Sequence, residues 1–271
     1  MISKNNNTDS MQFIIDPSAP SNVSFAIKEA LKTIRANIVL SMQGDGCKKL
    51  VITSSVPGEG KTTSSINIAI ALSMIDKKVL LIDADLRKRR VGRLVKLKHY
   101  KGLTDIIRGD CTFEEVVNTT KYENLNILSA GSSVVNPSEV IASKLSEQFF
   151  KSISDKYDYI LFDAPPINIV SDALPLIKSS DGVLFVAREM LTTHREIKKA
   201  LTSLSMIDAN ILGVVYIGSD STQPYYHSRY GKYGYGYGKY GKYGKYGKYD
   251  SYGAKYYGYN DDDDIDKSSK N

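Results

Sequence analysis

A chain of 271 residues with 42% hydrophobic residues can fill one sizeable core or two small ones. Its formal charge of +6 is too modest, and too evenly spread, to mark a dedicated nucleic-acid binder. Cys47 and Cys111 show no CxxC or metal spacing, and three scattered histidines complete no metal site with them, which fits a reducing cytoplasm.

The opening MISKNNNTDS is polar and predicts no signal peptide, and the apolar stretch 66–75 is too short to span a bilayer. Residues 1–21 read as an N-terminal segment. An amphipathic helix follows over 22–42, with Asn22 as its cap and Ile27, Leu31, Ile34 and Ile38 on one face. It carries the pattern Glu29-Ala-Leu-Lys32-Thr-Ile-Arg35.

A short aliphatic run at 50–53 predicts the first buried strand, and LVITSSVPGEGKTT leads from it through a Gly/Ser/Pro turn into a helix over 62–75. This is the P-loop arrangement: Ser55, Val56, Pro57, Gly58, Glu59, Gly60, Lys61, Thr62 and Thr63 surround the phosphate position, and all but Pro57 offer it a backbone N–H. Lys61 reaches the β- and γ-phosphates, and the Thr62 hydroxyl takes Mg²⁺. A strict GxxxxGK[ST] has Gly where this chain has Ser55, so the match is a variant in the right strand–loop–helix context.

Strands at 79–82 and 159–162 end in Asp83-Ala-Asp85 and Asp163, at the edge where open parallel sheets bind ligands. A lone strand-end Asp is usually a turn or cap residue, but three beside a P-loop can converge on one hydrated Mg²⁺. Further strands are predicted at 125–128, 183–186 and 211–216, and helices over 137–156 and 192–207. The alternation gives an α/β fold: a P-loop NTPase with a mostly parallel sheet flanked by helices.

Arg87-Lys88-Arg89-Arg90, with Arg93 nearby, follows the second motif. Each residue alone reads as part of a solvated helix face. As a group beside the carboxylates they can grip an acidic partner or a phosphorylated tail.

Beyond Gly218 aliphatic residues nearly vanish, and residues 219–271 read as a disordered tail. Of 19 tyrosines, 14 lie there: Tyr225, Tyr226, Tyr230, Tyr233, Tyr235, Tyr237, Tyr240, Tyr243, Tyr246, Tyr249, Tyr252, Tyr256, Tyr257 and Tyr259.

The three acidic and glycine-rich segments resemble the Walker A, A′ and B motifs of bacterial tyrosine kinases, the BY-kinases that regulate capsule and exopolysaccharide synthesis, and the tail resembles their autophosphorylated C-terminus. The resemblance runs from residue 22 to the tail and points to the Gram-positive type, a separate cytoplasmic chain held at the membrane by its activator. It implies an ATP- and Mg²⁺-dependent tyrosine autokinase over 22–218, with Lys61, Asp83 and Asp85 catalytic. Thr62, Asp83, Asp85 and Asp163 would serve the metal, Asp83 sitting near the attacking hydroxyl, and the 14 tail tyrosines would be phosphoacceptors. It further implies a homo-oligomeric ring, activation by the cytoplasmic segment of a membrane protein, and other protein substrates in polysaccharide synthesis.

This chain departs from the family in two places. The oligomerisation motif Glu-x-x-Arg-x-x-Arg reads Glu29, Lys32, Arg35, and lysine lacks the planar fork of arginine. Ile217 stands where related ATPases often place an adenine-reading Asn. His194-Arg195-Glu196 is only a near miss to the HRD of eukaryotic kinases.

The nearest alternative is a ParA/MinD-like positioning ATPase, whose signature P-loop lysine is replaced here by Val56. Stacking of tail tyrosines on single-stranded nucleic acid, or a merely solubilising tail, leaves the P-loop unexplained. The expected partners therefore include no nucleic acid.

Overall fold

The computed structural model describes residues 25–97 and 101–218. The N-terminal segment, the Asn22 cap and the tail with its 14 tyrosines lie outside the described residues.

Helix α1 (Phe25–Ser41) precedes strand β1 (Lys48–Ser54), helix α2 (Lys61–Ser73) and strand β2 (Val79–Asp83). Short helices α3 (Arg90–Leu94), α4 (Leu103–Arg108) and α5 (Phe113–Val116) lead to strands β3 (Asn118–Thr119) and β4 (Leu125–Leu128). Then come α6 (Pro137–Ile141), α7 (Lys144–Ser154), β5 (Tyr159–Asp163), α8 (Ala173–Lys178), β6 (Gly182–Arg188), α9 (His194–Ser205) and β7 (Ile211–Ile217).

The strands form one sheet in the order β3-β4-β2-β5-β1-β6-β7. Only the β3–β4 pair at one edge is antiparallel; β4-β2, β2-β5, β5-β1, β1-β6 and β6-β7 are parallel. Every residue of β2 and β5 is buried, which is why these strands read as unbroken aliphatic runs rather than alternating ones. Parallel register then does the positioning: Asp83 pairs with Asp163, and Ile52 of β1 pairs with Asp163, so three strand ends meet at one edge.

Each face of the sheet has its own core. One combines Val51, Leu80, Phe162 and Phe185 with Phe149, Phe150 and Ile153 of α7 and with Ala200 and Leu204 of α9. Phe150 meets Phe162 edge to face, with ring centroids 5.0 Å apart. The other packs Leu50, Ile52, Leu81 and Leu161 against Ile66, Ile70 and Leu72 of α2 and Leu31 and Ile38 of α1. Because α2 lies beneath α1, it is buried almost all round, and its sequence KTTSSINIAIALS has no polar stripe.

Two expectations need correction. The helix over 137–156 is two helices: the first ends at Ile141 with Ala142 as its cap, and the Ser143 hydroxyl caps the second by accepting from Ser146 N–H at 3.2 Å. On α1, Leu31 and Ile38 are buried as expected, but Ile27 is 43% exposed. The inward stripe is therefore narrower than the sequence pattern drew it.

Candidate active site

β1 ends in Ser54, and α2 starts at Lys61, so the loop between them must turn the chain in a few residues. Gly58 (φ +93°) and Gly60 (φ +88°) make that turn in the left-handed region. At Gly60 there is no room either: a Cβ would stand 2.8 Å from Ile217 Cδ1. Ile217 thus closes over the loop as an apolar wall.

The loop is braced by Glu59, which is fully buried. Its Oε1 accepts from Ser55 Oγ at 2.6 Å and from the Thr192 hydroxyl, and its Oε2 accepts from Val56 N–H at 2.9 Å. Thr192 in turn accepts from Arg188 N–H at 2.8 Å, and the Arg188 guanidinium donates to the Gly58 carbonyl at 3.3 Å. A buried carboxylate is tolerable only when hydrogen-bonded, and here three donors hold it while it ties the loop to the end of β6. Replacing Glu59 with Ala strands those donors, each such bond contributing about 1.5–3 kcal/mol. The expected result is at least a roughly tenfold weaker binding of a nucleotide by calorimetry, with Glu59→Gln intermediate. Unchanged affinity in Glu59→Ala would contradict a bracing role.

Lys61 is buried, with Nζ 3.0 Å from Asp85 Oδ2 and 3.5 Å from Asp163 Oδ1. Burial disfavours its charge, but Asp163 and Asp85 overcome this and hold the ammonium above its ordinary range. Ser65 Oγ stands 2.9 Å from the Lys61 carbonyl and 3.1 Å from Asp163 Oδ1, so its single proton serves one acceptor at a time.

Asp83 and Asp85 are tied to the turn that follows them. Asp85 Oδ1 accepts from Lys88 N–H at 3.1 Å, and Asp83 Oδ2 accepts from Val91 N–H at 2.9 Å. Burial pushes the Asp83 carboxyl well above the usual carboxylate range, and the nearby Asp163 and Asp85 push it further. Burial raises Asp163 as well, against the pull of Lys61. Asp83 Oδ1 and Asp163 Oδ2 are buried with no hydrogen-bond partner.

Among the described residues, no three His, Cys, Asp or Glu form a ready-made metal cage. The donor set nevertheless suits Mg²⁺. This ion prefers hard oxygen ligands, takes one or two carboxylates, and fills its remaining positions with water and substrate phosphates. The partnerless carboxylate oxygen of Asp163, with Asp85 and the Thr62 hydroxyl nearby, meets that demand, and Asp83 offers a second free oxygen at its edge.

Of Lys61, Thr62, Asp83, Asp85 and Asp163, which the sequence singles out, the fold brings Lys61, Asp85 and Asp163 within ion-pairing distance. Sequence reasoning missed Ser65, Thr192 and Arg188. Ser65 carried a signal, since a serine one turn after Lys61 shares its helix face. Thr192 and Arg188 carried none, because they meet the loop only through the pairing of β1 with β6. The three residues expected to serve oligomerisation separate: Glu29 and Lys32 pair with each other at 2.7 Å on the exposed face of α1, whereas Arg35 donates to the Ala71 carbonyl at 3.1 Å and pins α1 to α2. A groove along α9, lined by His194, Ile197, Lys198, Leu201, Thr202, Ser205 and Met206, shares no residue with the carboxylates.

The AAA domain family model matches residues 47–210. Tyrosine-protein kinase YwqD of Bacillus subtilis (strain 168) is 33% identical over 231 residues, covering 85% of this chain and 95% of that protein. Among solved structures, the kinase domain of Escherichia coli tyrosine kinase ETK is similar with a TM-score of 0.68 and 29% identity, over 77% of this chain and 80% of that one. The septum site-determining protein MinD of Pyrococcus horikoshii OT3, solved in complex with Mg-ADP, is similar with a TM-score of 0.54 and 28% identity, over 63% of this chain and 70% of that one.

Proposed function

The chain belongs to the bacterial protein-tyrosine kinases, and from that premise we propose that it transfers the γ-phosphoryl group of ATP, with Mg²⁺, to tyrosines of its own tail in trans, and thereby regulates capsular or exopolysaccharide synthesis and export. One observation carries this reading. A buried lysine at the start of α2 sits between carboxylates at the ends of β2 and β5, in a chain with 14 tyrosines beyond Pro224.

In this reading the backbone amides of residues 55–63 orient the phosphates and Lys61 binds the β- and γ-phosphate oxygens. Thr62, Asp85 and Asp163 would hold Mg²⁺, which when bound neutralises charge on the phosphate oxygens. Asp83 keeps Oδ2 on Val91 N–H and has Oδ1 without a partner, so Oδ1 is the atom to accept the tyrosine hydroxyl proton. Its raised pKa makes it a stronger base than an exposed aspartate. The tyrosine oxygen bonds to the γ-phosphorus as the bond to the ADP oxygen breaks. Positioning and charge neutralisation supply most of the rate.

The organisation follows the sequence reading: an N-terminal segment (1–21), a kinase domain (22–218) and a tyrosine-rich tail (219–271). No helix among the described residues is long and apolar enough to cross a membrane. Placement at the cytoplasmic face then falls to a membrane activator's cytoplasmic segment, with Glu29 and Lys32 on the exposed face of α1 serving ring assembly. A positioning ATPase is the weaker reading, because buried Val56 stands where its signature lysine belongs.

Transfer in trans has a direct test. A chain with all 14 tail tyrosines changed to Phe is mixed with a full-length Lys61→Met chain, ATP, Mg²⁺ and the activator segment. Phosphate is expected on the Lys61→Met chain. Its absence, under conditions where the wild type labels itself, contradicts transfer between copies.

A further inference from the structure

The basic run after β2 divides in two. Arg87 is used internally: its Nε and Nη2 meet the buried Asp172 carboxylate at 2.7 and 3.2 Å, a forked pair that fixes the run to the start of α8. Arg90 and Arg93 are exposed, with no ion pair or hydrogen bond to another described side chain, and their i,i+3 spacing on α3 puts them side by side while Val91 faces the core. Two further basic residues flank the pair in sequence, Arg89 and Lys96, both held at positive φ, +46° and +54°. This basic surface is joined to the two aspartates, because Val91 N–H donates to the Asp83 carboxylate, Lys88 N–H to the Asp85 carboxylate and Arg89 N–H to the Asp85 backbone carbonyl.

The chain itself contains the complementary charge. Five aspartates, Asp261, Asp262, Asp263, Asp264 and Asp266, fall within six positions, directly after Tyr256, Tyr257 and Tyr259. We infer that the Arg90–Arg93 surface is a docking site for the aspartate run of a second copy, and that it selects the tyrosines just ahead of that run as the preferred acceptors. The inference rests on the kinase reading and deepens it by naming the substrate class: an acceptor tyrosine followed within a few residues by an acidic cluster.

Chain length supports the choice. An extended chain advances about 3.3–3.6 Å per residue, so the two to five residues from these tyrosines to Asp261 span roughly 7–18 Å. That suits a tyrosine at Asp83 while the aspartates rest on the arginines one helical turn away. The earlier tyrosines, in Gly-Lys-Tyr repeats, bring lysines to the same surface and are repelled. Reach between copies is ample: about 43 residues separate Gly218 from Asp261, and a Gly-rich chain of that length spans roughly 33–40 Å on average.

The test uses the full chain with its own five aspartates changed to Asn, so that no internal run competes. The probe is a fluorescent peptide of residues 252–271 with its four tyrosines as Phe. Binding is expected, weakening with added salt, and falling about tenfold or more in the Arg90→Glu, Arg93→Glu chain. That reversed chain should in turn bind a peptide carrying Lys at the five aspartate positions. A second readout is the share of phosphate placed on Tyr256, Tyr257 and Tyr259, relative to Tyr233 through Tyr246, in an isotopically heavy Lys61→Met acceptor. Charge reversal should lower that share.

Unchanged peptide affinity and an unchanged share overturn the inference while leaving the kinase reading intact. So does binding that requires phosphotyrosine in the peptide. No phosphate at any tyrosine, with charge-dependent peptide binding retained, upholds the docking site and overturns the kinase reading instead.

Discussion

Replacing Lys61 with Met is expected to lower tail phosphorylation by at least about a thousandfold, since one preorganised donor to the transferring group is commonly worth 10²–10³ and Lys61 also neutralises the site. Its ammonium lies within 4 Å of both the Asp85 and the Asp163 carboxylates. Removing one partner of a buried pair costs about 3–5 kcal/mol, so the variant should fold but melt lower. The loss has a pH signature. Asp83 and Asp163 have folded-state pKa values raised above 3.8, so between the unfolded and folded values the native state binds more protons. Stability from that source is full below the unfolded pKa and is lost as pH rises through the folded one. Without Lys61 both carboxyls rise further. Melting temperature should therefore fall more steeply for the variant than for the wild type as pH rises above the unfolded carboxylate value of 3.8. Parallel profiles would contradict the role assigned to Lys61 in the carboxylate cluster.

Changing Asp83 and Asp85 together to Asn should also abolish phosphorylation, yet raise stability. Three carboxylates are buried beside Lys61, and Asp83 and Asp163 are direct cross-strand neighbours. Like charges so placed are destabilising. Asparagine keeps an oxygen for Val91 N–H and for Lys88 N–H, and Lys61 retains Asp163. The gain is expected at about 1–2 kcal/mol, or roughly 2–8 °C in Tm. Calorimetry of the double variant beside the wild type decides it. A lower Tm would mean that the Lys61–Asp85 pair outweighs the repulsion it offsets. A site that lowers stability while concentrating charge is what transition-state stabilisation demands.

Much of this was legible in the sequence because parallel, fully buried strands leave an unmistakable mark. β2 and β5 are short aliphatic runs that each end in aspartate, and the edge rule for open sheets then places those aspartates beside a P-loop. What the sequence did not carry is register between elements distant in the chain. Thr192 reaches Glu59 only because β6 lies next to β1, and Arg87 reaches Asp172 only because α8 begins beneath the turn after β2. The short helices α3, α4, α5 and α8 span too few residues to show a 3.6-residue period, and α4 and α5 are set instead by local caps such as the Asp105 and Glu115 carboxylates. The single helix drawn over 137–156 was broken by Ser143, a cap residue hidden inside a continuous periodic pattern. On α1, the pattern correctly gave Leu31 and Ile38 but could not show that α2 and the sheet leave Ile27 uncovered. Arg35 stands in the motif expected to serve oligomerisation, and its bond to the Ala71 carbonyl depends on how α1 crosses α2.

The most direct test of the central claim is a phosphate map of the purified full-length chain after incubation with ATP, Mg²⁺ and the activator's cytoplasmic segment, beside the Lys61→Met chain treated alike. Peptide mass spectrometry should place phosphate on tyrosines between Tyr225 and Tyr259 in the wild type and none in the variant. A wild-type chain that hydrolyses ATP yet carries no phosphotyrosine, or a folded Lys61→Met chain labelled to the same extent, would contradict it.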